Sequence, residues 1–443
     1  MNVGFISLGC SKNLVDTEML IGKFKNNKYK IVNDSGEADI IVVNTCGFIK
    51  SAKEEAIDTI LEMAQYKNNR CKYLIVMGCL VQRYKEEIQK AIPEIDLCLS
   101  IDEYDNIWEK IDELVNIEKD KTNKCLELDY MERVVTTGNK MAYLKIAEGC
   151  DNKCTYCAIP YIRGPYISRN KEDILKEAKK LAKEGIKELI VIAQDTTKYG
   201  LDIYGKSYLP ELLEDICKIE EVEWVRFLYA YPESITDELI KVVKKNDKIC
   251  NYFDIPIQHI SDSILKKMNR KSSGKNIKEL IYKIRKEIPD VIIRTSLIVG
   301  FPGETEVDFE ELYNFVNTTK FDRLGTFMYS KEDNTPAEKL KNHIHPMTKK
   351  SRYNKIMKLQ KEISINNQKE KVGNIYTVLL EGKSFDNKYY IGRTYMDVPD
   401  MDGVIYIKRN FSKKEMTKKD LTGVFINVKI IEYNEYDLIA EQI

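Results

Sequence analysis

The chain has 443 residues, with 70 basic side chains balancing 70 acidic ones and 43% hydrophobic residues. That length supports two or three domains with cores of their own, and the apolar content excludes a disordered chain. The balanced charge removes any global electrostatic reason to bind nucleic acid.

The amino terminus reads directly as a strand, with no basic stretch leading into an apolar one. No apolar run is long enough to span a bilayer, so a cytoplasmic protein is expected. In a reducing compartment, eleven cysteines point to metal rather than to disulfides.

Residues 1–116 alternate short apolar runs with amphipathic stretches, the pattern of a parallel sheet covered by helices. Strands are predicted at 3–8, 39–43 and 73–77, and helices at 13–26, 49–64 and 81–91. Each of the three strands runs out into a cysteine: Cys10, Cys46 and Cys79. In an open parallel sheet, ligands collect beyond the carboxyl ends of the strands, so these thiols can converge on a cluster with one open corner. Packing as small apolar side chains is the other reading of isolated cysteines. The glycines beside all three suit close backbone approach to a bulky group.

Residues 117–140 turn polar and irregular, the composition of a linker. A new domain opens at Met141, where a strand over 142–146 leads into Glu148-Gly-Cys150-Asp-Asn-Lys-Cys154-Thr-Tyr156-Cys157. The C-x3-C-x2-C spacing is too tight for a relaxed helix or strand but curls three thiolates around an inorganic core, most simply an iron–sulfur cluster. The next cysteine is Cys217, so this loop supplies three ligands where a structural zinc site wants four. An open metal position suits a site that binds a reactant. A zinc knuckle with a remote fourth ligand is the alternative.

Beyond the loop, a helix over 171–185 and strands at 188–193, 224–229, 252–255, 291–299 and 324–329 complete six strand–helix units. They predict a parallel, incompletely closed barrel over 141–346, with its chemistry on the loops at the carboxyl ends of the strands. Gln194-Asp195-Thr196-Thr197, Tyr229-Ala-Tyr231-Pro-Glu233, Pro256-Ile-Gln258-His259 and Gly300-Phe-Pro-Gly303-Glu304 fall there. His259 stands at a strand end, as a site contact or a hydrogen-bonded turn residue. His343 and His345 read as loop residues beside a proline. A basic amphipathic helix over 347–370 connects to 371–443, where short strands and glycine-containing turns predict a small β-barrel. Asp397, Asp400 and Asp402 in one of its loops favour a basic protein over a phosphate backbone as partner.

With Tyr156 before the last cysteine, the loop completes the C-x3-C-x-(aromatic)-C pattern and resembles that of the radical S-adenosylmethionine enzymes. In that superfamily the open iron binds S-adenosylmethionine, and its reductive cleavage gives a radical that removes hydrogen from an unactivated carbon. The words Leu8-Gly-Cys10-Ser-Lys-Asn13-Leu-Val-Asp16, Asn44-Thr-Cys46-Gly and Gly78-Cys79-Leu look like the amino-terminal domain of the methylthiotransferases. Residues 371–443 resemble the TRAM domain that follows in that family. The resemblance implies an α/β chain in three parts: an N-terminal parallel sheet domain, a central partial (β/α)6 barrel and a TRAM-like β-barrel.

The resemblance also implies two 4Fe–4S clusters, one on Cys10, Cys46 and Cys79 and the other on Cys150, Cys154 and Cys157. S-adenosylmethionine would lie near Tyr156, Gln194 and Gly300. Asp195 and Arg163 are candidate catalytic residues, and Arg163, Ser168 and Arg169 match positions beside the radical cluster where guanidinium groups can hold carboxylates. The other cysteines, Cys71, Cys98, Cys125, Cys217 and Cys250, match no motif.

Ser11-Lys12-Asn13, Ala158-Ile159-Pro160, Gln194-Asp195 and Tyr329-Ser330-Lys331-Glu332 are similar to the branch that attaches a methylthio group to the β carbon of an aspartate in the twelfth small-subunit ribosomal protein. Lys331 and Tyr166 depart from the branch pattern. The partners so implied are that ribosomal protein, free or within the assembled subunit, and an electron donor protein, with no membrane and no obligatory nucleic acid. Methylthiolation of an adenosine in transfer RNA is the alternative.

Overall fold

A computed structural model describes residues 1–115, 128–138, 140–408 and 421–443. In the first domain, β1 (Asn2–Ser7), β2 (Lys30–Val32), β3 (Ile40–Thr45), β4 (Tyr73–Gly78) and β5 (Leu97–Leu99) form a parallel sheet in the order β2-β1-β3-β4-β5. Helices α1 (Ser11–Asn26), α2 (Lys50–Ala64), α3 (Cys79–Ala91) and α4 (Ile107–Val115) cover its two faces. The three predicted strands and helices are present. The three-residue strands β2 and β5 carry too little pattern to be read from sequence.

The second domain contains β6 (Met141–Lys145), β7 (Ala147–Glu148), α5 (Ile159–Arg163), β8 (Ile167–Ser168), α6 (Lys171–Lys183), β9 (Glu188–Ile192), α7 (Leu201–Tyr204), α8 (Leu209–Cys217) and β10 (Trp224–Phe227). It continues with α9 (Asp237–Lys245), β11 (Tyr252–Asp254), α10 (Asp262–Lys267), α11 (Gly274–Glu287), β12 (Ile292–Val299), α12 (Glu306–Thr319) and β13 (Arg323–Met328). The parallel sheets β10-β9-β6 and β11-β12-β13 meet through a parallel bridge between Val225 and Ile249, giving the six-stranded partial barrel. Side chains alternate across the strands. Ala142, Leu144, Leu189 and Val191 pack outward under the helices, whereas Met141, Tyr143, Ile190, Ile192 and Tyr252 form a separate cluster.

That second cluster also takes Val15 and Met19 of α1, and Met396 and Val398 from the C-terminal domain. Helix α1 is therefore buried on nearly every side, including its polar residues Asn13, Asp16 and Glu18. Part of the stretch read as a linker belongs to the same interface. Arg133 is buried between Glu18 and Glu177, and the Thr136 amide donates to Glu18. Residues 128–138 thus form a packed strap rather than a solvated connector. The remainder of that stretch, with Cys125, lies outside the described residues.

Helix α13 (Pro346–Lys369), capped by the His345 side chain, leads to a closed barrel of β14 (Ile375–Lys383), β15 (Tyr389–Arg393), β16 (Ile405–Lys408), β17 (Phe425–Tyr433) and β18 (Leu438–Gln442). Its loop 394–402 corrects the expectation drawn from three aspartates. Asp397 is buried against Arg323 at 2.6 Å, and Asp402 accepts from the Tyr252 hydroxyl at 2.7 Å. Only Asp400 is exposed. Local composition marked this loop as a partner surface, but two of its three carboxylates are spent inside the molecule. Arg226 and Arg393 likewise share buried Glu188 at 2.9 and 2.7 Å.

Candidate active site between the first two domains

Cys10, Cys46 and Cys79 stand at the carboxyl ends of β1, β3 and β4, three adjacent strands of one sheet. Asn13, on the first turn of α1, gathers these ends. Its Nδ2 donates to Leu8 O and Thr45 O, both at 3.0 Å, and its Oδ1 lies 3.5 Å from Cys79 Sγ. A β carbon on Gly47 would come within 2.8 Å of Cys79 backbone, so only glycine lets the β3 and β4 ends approach this closely.

Burial opposes ionisation of Cys10, yet Lys12, Arg163 and the amides opening α1 outweigh it and hold its thiol below the ordinary value. Burial pushes Cys46 up, and it pushes Cys79 up to about 11 despite Arg163. The three thiols influence one another's ionisation.

The second triad lies in the loop after β7. Gly149 has φ 72°, and a β carbon there would meet Pro165 O at 1.8 Å. The loop is pinned at Thr155, whose amide donates to Met268 O at 3.1 Å and whose hydroxyl donates to Lys267 O at 2.8 Å. Asn152 donates to Asp195 at 2.7 Å, and Tyr231 OH stands 3.7 Å from Cys154 Sγ. Burial raises Cys157 strongly and Cys150 to about 11.

Between the triads lies a buried ionic node. Arg163, at the end of α5, donates to Glu148 and Asp16, both at 3.0 Å, and to Asn13 Oδ1 at 2.5 Å, and is 3.8 Å from Cys79 Sγ. Lys145 donates to Asp16 at 2.5 Å and Glu148 at 2.8 Å, while Gln194 donates to Glu148 at 2.9 Å. Burial opposes ionisation of Glu148, but Arg163 and Lys145 overcome it and hold the carboxyl well below its usual range. Cys10 is exposed, Cys157 partly so, and Glu148 keeps 30% of its side chain accessible. Burial still opposes ionisation of all three, so the node and the thiols beside it lie largely out of water while Cys10 and Glu148 keep a face open to it.

Among the described residues no three His, Cys, Asp or Glu side chains close around a single metal ion. Each triad offers instead three thiols and no other ligand type, the donor chemistry of an iron–sulfur core. Gln194 Oε1 and Tyr156 OH are buried without a hydrogen-bond partner among the described residues, polar atoms available to a bound molecule. The residues present therefore fit two clusters and a polar ligand beside the second.

The other expected residues are placed as follows. Asp195 is buried, with its carboxyl pushed up by that burial against the bonds from Thr197 and Asn152. Gly300, at φ 71°, donates its amide to Glu304. Ser168 donates to Asp202, and Arg169 pairs with Glu177 at 2.7 Å, so both hold the scaffold. His259 is fully buried, its Nδ1 accepting from the Ser261 amide at 3.0 Å, which is the turn role. Lys145, and Arg270 over the Tyr231 ring at 4.2 Å, carry no sequence motif, and Asp16, Glu148 and Tyr231 stood in quoted motifs without a role assigned to them. A polar pair three apart on α1, Asn13 and Asp16, was the one signal the sequence offered.

The fold and site define a radical S-adenosylmethionine enzyme that carries a second cysteine triad on an added α/β domain. The Radical SAM superfamily matches residues 144–316, the family described as uncharacterized protein family UPF0004 matches residues 2–100, and the TRAM domain matches residues 372–443. The ribosomal protein uS12 methylthiotransferase RimO of Alkaliphilus oremlandii is 68% identical over 100% of this chain and 99% of its own. That of Acetivibrio thermocellus is 52% identical over 100% and 98%. The chain belongs to the family of ribosomal protein uS12 methylthiotransferases. The solved structure of the radical S-adenosylmethionine methyltransferase TsrM from Kitasatospora setae, with cobalamin and a 4Fe–4S cluster bound, has a TM-score of 0.58 at 12% identity over 76% of each chain, a likeness of fold alone. Among the described residues no helix is long and apolar enough to cross a membrane.

Proposed function

We propose that this chain attaches a methylthio group to the β carbon of an aspartate in ribosomal protein uS12, using two 4Fe–4S clusters and S-adenosylmethionine. The observation that carries this reading is the meeting of two separate cysteine triads at one buried node, in a chain that matches uS12 methylthiotransferases from end to end. Cys150, Cys154 and Cys157 hold the radical cluster, and Cys10, Cys46 and Cys79 hold the second. S-adenosylmethionine supplies, when bound, both a methyl group and the means of removing hydrogen from an unreactive carbon.

The protein's own part is placement and exclusion of water. Gln194 and Tyr156 offer unpaired polar atoms beside the radical loop. Lys145 and Arg163 neutralise Glu148 and Asp16, leaving no unpaired carboxylate at the node. Val15 and Met19 of helix α1 and Met396 and Val398 of the third domain pack on Met141, Tyr143, Ile190 and Ile192 of the barrel strands and exclude water from that interface. An acidic substrate side chain would enter beside Lys12, which lies over the Tyr229 ring at 3.3 Å. An electron donor protein completes the reaction, and no nucleic acid is required for it.

The test is to incubate the reconstituted, reduced enzyme separately with small ribosomal subunits, free uS12 and transfer RNA. Mass spectrometry should find one methylthio group on a single uS12 aspartate. A methylthio group on transfer RNA and none on uS12 would overturn the reading.

A further inference from the structure

Arg163 and Lys145 both bridge the two halves of the site through Asp16 and Glu148, and Arg163 also reaches the Cys79 sulfur of the first triad. It belongs to the barrel, six residues beyond Cys157, yet three of its four neighbours, Asn13, Asp16 and Cys79, lie in the first domain. Its fourth, Glu148, precedes Gly149 and Cys150. Asn13 completes the connection, holding the β1 and β3 ends through its amide nitrogen while its oxygen accepts from Arg163. Both residues are buried, Asn13 at 0% and Arg163 at 6% exposure.

We infer that Arg163, seated on Asn13, is a positioning residue for sulfur transfer. It fixes the Cys10/Cys46/Cys79 triad relative to the radical loop and donates to the Cys79 sulfur. This rests on the two-cluster reading above and adds the device that keeps the two centres in working alignment. Asn13 carries the local duty of assembling the triad, because its nitrogen bonds stay within the first domain. Arg163 carries the duty between domains. Hydrogen bonds and positive charge at a ligand sulfur raise a cluster's reduction potential, so the same contact also tunes the second cluster.

The experiment compares wild type with Arg163→Gln, Arg163→Lys and Asn13→Ala, all reconstituted. Three quantities are read: iron and sulfide content, the reduction potential of the N-terminal cluster, and 5′-deoxyadenosine released per methylthiolated uS12. The potential is measured in a Cys150/Cys154/Cys157→Ala background. Arg163→Gln should keep the iron of both clusters, lower the N-terminal potential, and release up to about 100-fold more 5′-deoxyadenosine per product, the scale of loss for a small misplacement of reacting groups. Arg163→Lys should fall between, since it keeps the charge and loses the fork. Asn13→Ala should lose iron from the first domain alone.

An iron-replete Arg163→Gln protein with unchanged potential and unchanged coupling ratio would overturn the inference. If Arg163→Gln does not fold, Arg163→Lys with wild-type values for both would do the same. A wild-type enzyme that makes no methylthiolated protein would refute the proposed function instead, so the two failures are distinguishable.

Discussion

Arg163 donates to Asp16 Oδ2 at 3.0 Å across 147 positions of sequence. The ion pair joins the first helix of the chain to the short helix that follows the radical cysteines, and it is sealed from solvent on both sides. Charges buried this way are tolerated only with satisfied partners, and Lys145 and Glu148 provide them. The consequence is a rigid seam between two domains, with one cysteine triad on each side of it.

Replacing Cys10, Cys46 and Cys79 together by alanine should remove about half of the bound iron and leave reductive cleavage of S-adenosylmethionine intact, because three thiols are the whole protein donor set of one cluster. Iron analysis and product chromatography check this. Unchanged iron would show that these thiols hold no cluster.

Gly149→Ala should remove the other half. Its β carbon would lie 1.8 Å from Pro165 O at a positive φ, so the loop before Cys150 must move. Iron should be lost from the barrel triad while the first domain keeps its own, and S-adenosylmethionine cleavage should disappear.

The join of the third domain is predicted to depend on Glu188. Glu188→Ala leaves buried Arg226 without its carboxylate and takes one of two from Arg393. The cost should be about 3–5 kcal/mol, seen as a fall in the urea midpoint. Replacing Glu188 and Arg226 together by Leu and Met should recover much of it.

Glu304 gives the fold a pH dependence. Burial pushes its carboxyl up to about 7 despite Arg352 and the Gly300 and Phe301 amides. Arg352 faces it at 2.9 Å, His259 stands 4.0 Å away, and Lys349 also feels its charge. Burial keeps His259 neutral down to about 3. The folded state binds the Glu304 proton more tightly than the unfolded state, so its contribution is complete below about pH 4.5 and is lost as pH rises to about 7, by about 3 kcal/mol. Glu304→Gln should flatten the stability profile across that window, measured by urea unfolding at several pH values.

The parts legible in the sequence were those written locally. Cysteines at the ends of three apolar runs, the tight loop from Cys150 to Cys157, and the change from helical to strand periodicity near residue 370 each lie within a few residues of their own signal. What could not be read is what distant segments do to one another. Asp397 and Asp402 looked like a surface because nothing nearby shows that Arg323 and Tyr252 await them. Lys145 looked like an ordinary strand residue until Asp16 was brought against it. Strand β18 closes the last barrel by pairing in parallel with β16 and antiparallel with β17, a non-local arrangement its five residues do not announce.

Two clusters facing one another across the Arg163–Asp16 seam would couple magnetically, and pulsed electron paramagnetic resonance of the reconstituted, reduced protein reads that directly. It should detect a dipolar interaction between two cluster spins that vanishes in the Cys10/Cys46/Cys79→Ala variant. Two cluster signals with no interaction between them, or an interaction that survives loss of those three thiols, would contradict it.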